Sequence, residues 1–384
     1  MNFKTEASIY ILACFCSFYF LVSSCGKKEG YSNSGATNSY NFVYVGSQGS
    51  STINSYYLNA TGSLIVAANA ISTGGGTTNI NDINASADGK FIYAANKASN
   101  NISCYSIDQM SAANPGTPTS VSIYTAGAGV SSIAVHPNGK FAFLTNSSAI
   151  SDNISFFNIN QTTGALNSAD TTYTSSRLNA TELAFSPNGN FIFIVNRGTS
   201  DISSYSVNSV SGALNLINTS VATGTNPEDL VVHPSGSFLY TLSVGSNRVY
   251  NYSVSAGGVL AALSSAYLST GSGPKKIAIT PNGKYLFVTN FTDNTFSVYS
   301  VSPTTGIPTA TGFSPVAAPV GAGVFSMAIT SDSNFLVATG DTSAKAYVFR
   351  IDDSTGNITQ VGAEVSLGGS NPRAIKIVPL TVVE

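Results

Sequence analysis

Few side chains in this chain can do chemistry, and those few recur at one phase of a repeat. The 384 residues include 16 Lys and Arg, 18 Asp and Glu, and two histidines. Counting seven residues back from a series of turn glycines gives Asp82, Ser132, Glu182, Asp229 and Lys276, then Ser326 before Ser333 at the same turn position, and Ala374 in the last copy. One residue earlier come Asn81, Ser131, Thr181, Glu228, Lys275, Phe325 and Arg373. Arg197 follows a neighbouring strand at the same level. Carboxylates in the earlier copies and cations in the later ones make a candidate site for a polar ligand or partner, with a charge gradient across it. The same groups could instead pair with one another and keep a funnel hydrated.

Other chemistry finds less support. His136 and His233 both precede Pro at one repeat position, where other copies carry Ser186, Thr280 and Thr330. A turn role fits them better than a metal or general-base role. No His/Cys/carboxylate cluster has metal-ligand spacing, and no calcium loop fits. Asp341, Asp352 and Asp353 read as solvated turn residues. Gly74-Gly75-Gly76 precedes no helix, so it is no phosphate cradle. The residues therefore assign no catalytic group, no metal and no cofactor.

The elements that must position the charged set are legible in Pro274–Pro308. Three short strands, Ile277–Thr280, Tyr285–Thr289 and Phe296–Val301, are separated by turns such as Pro281-Asn282-Gly283. The turn glycine recurs as Gly89, Gly139, Gly189, Gly236 and Gly283, with Ser333 next, at spacings of 50, 50, 47, 47 and 50 residues. The strand after it reads FIYA, FAFL, FIFI, FLYT, YLFV and FLVA, preceded by FVYV at 42–45. A third strand (ISCYSI, ISFFNI, ISSYSV, FSVYSV and kin) and a turn with an outer strand complete each unit. A period near 50 with four strands per unit predicts an all-β, seven-bladed β-propeller of four-stranded antiparallel blades. The series opens on a second strand at Phe42 and closes on a first strand at Ile375–Val378. The two ends must therefore share one composite N-/C-terminal blade, which removes an open sheet edge.

Composition agrees. Apolar residues make up 43% and charged residues only 9%. Ser, Thr, Asn and Gly must then cover the surface. Net charge is −2, which gives no field to draw nucleic acid. Residues 1–24 read as a signal peptide: Lys4 precedes the apolar run Ala7–Val22, which is short for a spanning helix. Leu21-Val22-Ser23-Ser24-Cys25 resembles a bacterial lipobox. It implies a lipid on Cys25, a membrane anchor and a cell-envelope location, with the outer membrane or cell surface favoured. Residues 25–40 read as a flexible tether and 41–384 as the propeller. Cys104 is left alone in a strand as a buried or half-buried, inert thiol.

The pattern P-x-x-I-A-x-x-P-N-G-K-x-x-x-V-T-N, with Phe287-Val288-Thr289-Asn290 inside it, resembles YVTN-type surface propellers and the seven-bladed lactonase family, which includes 6-phosphogluconolactonase-type enzymes. Repeated Trp-Asp or Gly-Gly signatures of other propellers are missing. The lactonase resemblance implies Pro-Arg-His at the start of one inner strand and Asn-Glu after the next. This chain has Pro274-Lys275-Lys276 and Asn290-Phe291 there. Arg248-Val249-Tyr250 is similar to a family Arg-Val-Tyr, but Ser243 stands where an acid is implied. The reading is thus a monomeric envelope lipoprotein that displays a propeller to bind a protein or small polar ligand, leaning away from an enzyme. The alternative is a lactone hydrolase.

Overall fold

The computed structural model describes residues 37–73, 79–109, 115–148, 153–168, 173–174 and 177–383. The signal segment, Cys25, most of the tether and Gly74-Gly75-Gly76 lie outside the described residues.

The chain forms seven antiparallel sheets. Innermost are Ile80–Ala85, Val130–Val135, Ala180–Phe185, Pro227–Val232, Pro274–Ile279, Val324–Ile329 and Pro372–Val383. Each touches the innermost strand of the next sheet, and Pro372–Val383 meets Ile80–Ala85 to close the ring. This is a seven-bladed propeller. Its composite blade runs Leu64–Ser72, Thr52–Leu58, Thr37–Ser47 and Pro372–Val383. Phe42 pairs with Val378 and Thr37 with Val383, so the sheet begins before residue 41 and takes in the end of the expected tether.

Second strands are apolar because neighbouring blades cover both faces. Phe91–Asn96, Phe141–Asn146, Tyr285–Asn290 and Phe335–Gly340 are buried at every position. Third strands carry Ser at buried positions. Asn at the end of the second strand satisfies it: the Nδ2 groups of Asn96, Asn196 and Asn290 donate to the Oγ of Ser103, Ser203 and Ser297 at 2.8, 2.8 and 3.0 Å. Two outer strands come as pairs of short pieces, Leu166–Ser168 with Tyr173–Thr174 and Pro308–Ala310 with Val316–Ala317. In the second case Pro315 has no N–H to offer the ladder.

The turn before each outer strand locks one blade to its neighbour. Gly306 has φ +67°, and a Cβ there would lie 2.2 Å from the Phe238 ring. Its carbonyl accepts from the Tyr240 hydroxyl at 2.7 Å. Tyr44 and Tyr93 donate likewise to Gly116 and Gly164. Gly306→Ala is expected to cost about 2–4 kcal/mol, combining left-handed strain with overpacking. Gly312, with no atom within 4 Å of its would-be Cβ, should tolerate Ala almost without effect. Urea melts of the two variants check this, and equal midpoints would refute it.

Both histidines serve the opposite rim. His136 Nδ1 accepts from Asn138 N at 3.1 Å, and His233 Nδ1 from Ser235 N at 3.0 Å. Nε2–H must then donate, to Gly189 O at 3.0 Å and Gly283 O at 3.2 Å. Each neutral ring pins the turn glycine of the following blade. Burial lowers the His233 pKa, against the pull of its bond to Gly283. Cys104 is fully buried and desolvation pushes its thiol up to about 12, so it is inert. Among the described residues no helix is long and apolar enough to cross a membrane.

Candidate functional site

Innermost strands begin, and second strands end, on one rim. Their side chains line a cavity of about 370 Å³ at the mouth of the central channel. Of the charged set read from the sequence, Glu182, Glu228, Asp229, Lys275, Lys276 and Arg373 line it. Asp82 and Arg197 are not among the lining residues. Arg197 instead pairs outward with Glu228 at 3.1 Å, both groups being a third or more exposed.

The floor is a buried ion cluster. Lys276 Nζ lies 2.9 Å from Glu182 Oε2 and 3.0 Å from Asp229 Oδ1. Asp229 Oδ2 accepts from Ile277 N at 2.7 Å. Asp82 Oδ2 accepts from Ile133 N and from Ser132 Oγ, at 3.0 and 2.9 Å. Ser132 Oγ also touches Glu182 Oε1. Burial works against the Lys276 charge, but Asp229, Glu182 and Asp82 outweigh it and hold the ammonium well above the usual lysine range. Burial pushes Glu182 up to about 8, opposed by Lys276 and helped by Asp82 and Asp229.

Pairing cancels most of the expected charge gradient. Arg373 is held in a fork by Asp341, with both N–O distances 2.9 Å, and donates to Gln48 Oε1 at 3.1 Å. Asp341 is therefore a buried partner rather than a solvated turn residue. Asp352 and Asp353 do sit in exposed turns. Lys275 is different: no described carboxylate pairs with it. Its Nζ lies 5.7 Å from the Phe325 ring centroid, beside Arg373 at 4.7 Å from the same ring. Phe291 meets Phe325 edge-to-face at 6.0 Å. Beside this wall lies the Gln48 amide, and across the cavity run the amide of Asn81 and the hydroxyls of Ser131 and Thr181.

The sequence reading missed Gln48, Phe291 and Lys376. Gln48 and Phe291 follow second strands, the position that exposed Arg197, and scanning every copy there would have found them. Lys376 lies one inward-facing step below Ala374, in a ring with Asn84, Ala134, Ala184, Val231, Ala278 and Ala328. Each of these pairs across its blade with the central residue of the second strand. Burial lowers the Lys376 pKa, opposed by Asp82 and helped by Lys276. Arg248 stacks on Tyr267 of the outer strand, 3.9 Å from its centroid, and does not line the cavity. Among the described residues no group of three or more His, Cys, Asp or Glu could hold a metal ion.

The family model of the seven-bladed β-propeller lactonases matches residues 25–126, 112–269 and 259–377. The chain belongs to that family. Solved structures of similar fold include a candidate 6-phosphogluconolactonase from Bacteroides uniformis, 20% identical with a TM-score of 0.75, covering 88% of this chain and 99% of that one. A second, from Bacteroides fragilis, is 22% identical with a TM-score of 0.74, covering 88% and 98%. The periplasmic gluconolactonase of Pseudomonas aeruginosa is 18% identical with a TM-score of 0.74, covering 89% and 99%. No curated protein matches. At these identities the likeness is one of fold. The two positions where the lactonase resemblance implies His and Glu, Lys276 and Phe291, both line the cavity. The mouth thus holds both positions, with Lys276 and Phe291 in place of the His and Glu that the resemblance implies.

Proposed function

We propose that this lactonase-family protein is a cell-envelope lipoprotein, tethered by lipid on Cys25, whose propeller mouth binds a small hydroxylated anion without turning it over. The observation that carries the reading is Lys275: a half-buried ammonium without a described carboxylate partner, beside an aromatic wall and opposite a row of amides and hydroxyls. An ammonium in that setting favours a ligand carboxylate or phosphate, and the polar row suits hydroxyl groups. A sugar acid has both. The ligand would meet Lys275 directly, since Arg373, Arg197 and Lys276 are already paired.

Calorimetric titration with D-gluconate and with inorganic phosphate tests the reading. Binding of either is expected, weakened about 10- to 100-fold in Lys275→Ala, the worth of one charge-assisted hydrogen bond. No heat from either probe, or equal affinity in the variant, would overturn it.

A second reading, lactone hydrolysis, is favoured by family membership and by the place of the cavity. Lys276 and Phe291 stand where that resemblance implies His and Glu, which argues against the same chemistry. Turnover of D-glucono-lactone by the intact protein, abolished with Lys275 and Lys276 both replaced by Ala, would make this reading the better one. The lipid on Cys25 is checked by the mass of the mature chain, which should carry acyl groups that vanish in Cys25→Ser.

A further inference from the structure

Hydrogen counting at the floor of the mouth leaves one proton to be placed. Ser132 Oγ has a single hydrogen, yet it touches two carboxylate oxygens, Asp82 Oδ2 and Glu182 Oε1. It can donate to one of them only. The other oxygen must bring its own hydrogen, or two lone pairs face each other.

The remaining contacts say which. Asp82 accepts from Ile83 N at 2.8 Å, Ile133 N at 3.0 Å and the serine. The two backbone donors favour its ionised form, and the serine hydrogen then completes its set. Glu182 Oε2 accepts from Lys276, as a carbonyl oxygen can. Its Oε1 takes only a long 3.3 Å contact from Leu183 N besides the serine. Charge balance agrees. The charged groups acting on Glu182 are Lys276, Asp82 and Asp229, and Lys376, one ring deeper, acts on Asp82 and Lys276. With Glu182 neutral, two anions meet two cations. Higher on the rim, Glu228 is paired with Arg197 and Arg373 with Asp341, and Lys275 faces the cavity.

We propose that Glu182 is a neutral carboxylic acid in the resting protein, the proton-bearing end of a Glu182–Ser132–Asp82 relay that forms an acid–base site at the floor of the mouth. Glu182 lines the cavity, so a basic oxygen of a ligand seated there can take this proton. The Oε1–H bond breaks, a ligand O–H bond forms, and the new carboxylate stays paired with Lys276 at Oε2. An alkoxide oxygen, a stronger base than the Glu182 carboxylate, has the required basicity. This deepens the ligand-binding reading of the mouth and rests on it only for the ligand. The resting proton is tested without any ligand.

Infrared pH titration of the full chain reads the protonated carboxyl directly. A protonated-carboxyl C=O band is expected at neutral pH, lost with a midpoint of about 8. Glu182→Gln should lack it at neutral pH, where ordinary carboxyl groups are ionised. Asp82→Asn, which removes a like charge, should move the midpoint down and keeps the test open if the glutamine variant does not fold. No band at neutral pH, a band that survives in Glu182→Gln, or a midpoint unmoved in Asp82→Asn would overturn the relay. Silence of both the gluconate and the phosphate titration would refute the ligand reading and leave this result standing.

Discussion

A chain ending at Gly369 is expected to lose its cooperative thermal transition and to aggregate. The deleted segment holds Pro372–Val383, the innermost strand of the composite blade. It pairs with Thr37–Ser47 over eleven register positions, from Thr37–Val383 to Ser47–Pro372. Ile375, Ile377, Val378 and Leu380 are all buried, packed on Phe42, Tyr44, Val43 and Val45. Full burial of each such side chain is worth ~1.5–3 kcal/mol. Four of them approach the net stability of a whole domain, about 5–15 kcal/mol. Removal also leaves an inner edge unpaired beside exposed apolar faces, a template for association. Circular dichroism melts with size-exclusion chromatography measure both effects. A truncated chain that stays monomeric and melts at the full-length midpoint would refute the clasp as the closing device. A milder variant, Val378→Asp, puts a charge against Phe42 and Leu380 and should reproduce much of the loss without shortening the chain.

The second large effect is expected at Lys276. Replacing it with Met keeps most of the side-chain volume but leaves Asp229, 3% exposed, without its cation, and Glu182 without its donor. Breaking a buried pair from one side costs ~3–5 kcal/mol. The Lys276 side chain is 31% exposed into the cavity, so water reduces that to about 2–3 kcal/mol. Adding Asp229→Asn and Glu182→Gln should recover at least half of the loss, because the cost lies in the stranded carboxyl groups. Urea unfolding of the single and triple variants, with m-values checked for constancy, measures it. A single variant as stable as the parent would show that the cluster does not hold the channel together. A triple variant no better than the single would assign the loss to packing.

The two expectations differ in how far they could be read in advance. The clasp was legible because the repeat phase is a bookkeeping fact: a series that opens on FVYV and closes on an innermost strand has one way to close its ring. The turn roles of His136 and His233 were legible from their repeat positions. Asp341 was misread because it occupies a turn position, and turn residues are usually solvated. Its fork with Arg373 joins neighbouring blades and has no signature along the chain. Lys376 was passed over because it lies one layer deeper than the rim positions counted.

By itself the sequence determined the strand pattern, the number of blades, the composite blade and the rim on which charged residues gather. These follow from local rules: period-two and all-apolar runs, turns set by Pro and Gly, and a count of copies. Only the tertiary structure decided which charges neutralise each other. Lys276 and Glu182 lie 94 residues apart and meet only because the ring sets their strands two blades apart around one narrow channel. Coulomb energy at such contacts changes several-fold over a few ångströms and with burial, and a repeat phase specifies neither distance nor burial. That is why the gradient expected along the chain becomes, in three dimensions, a balanced cluster with one ammonium, Lys275, left to face the cavity.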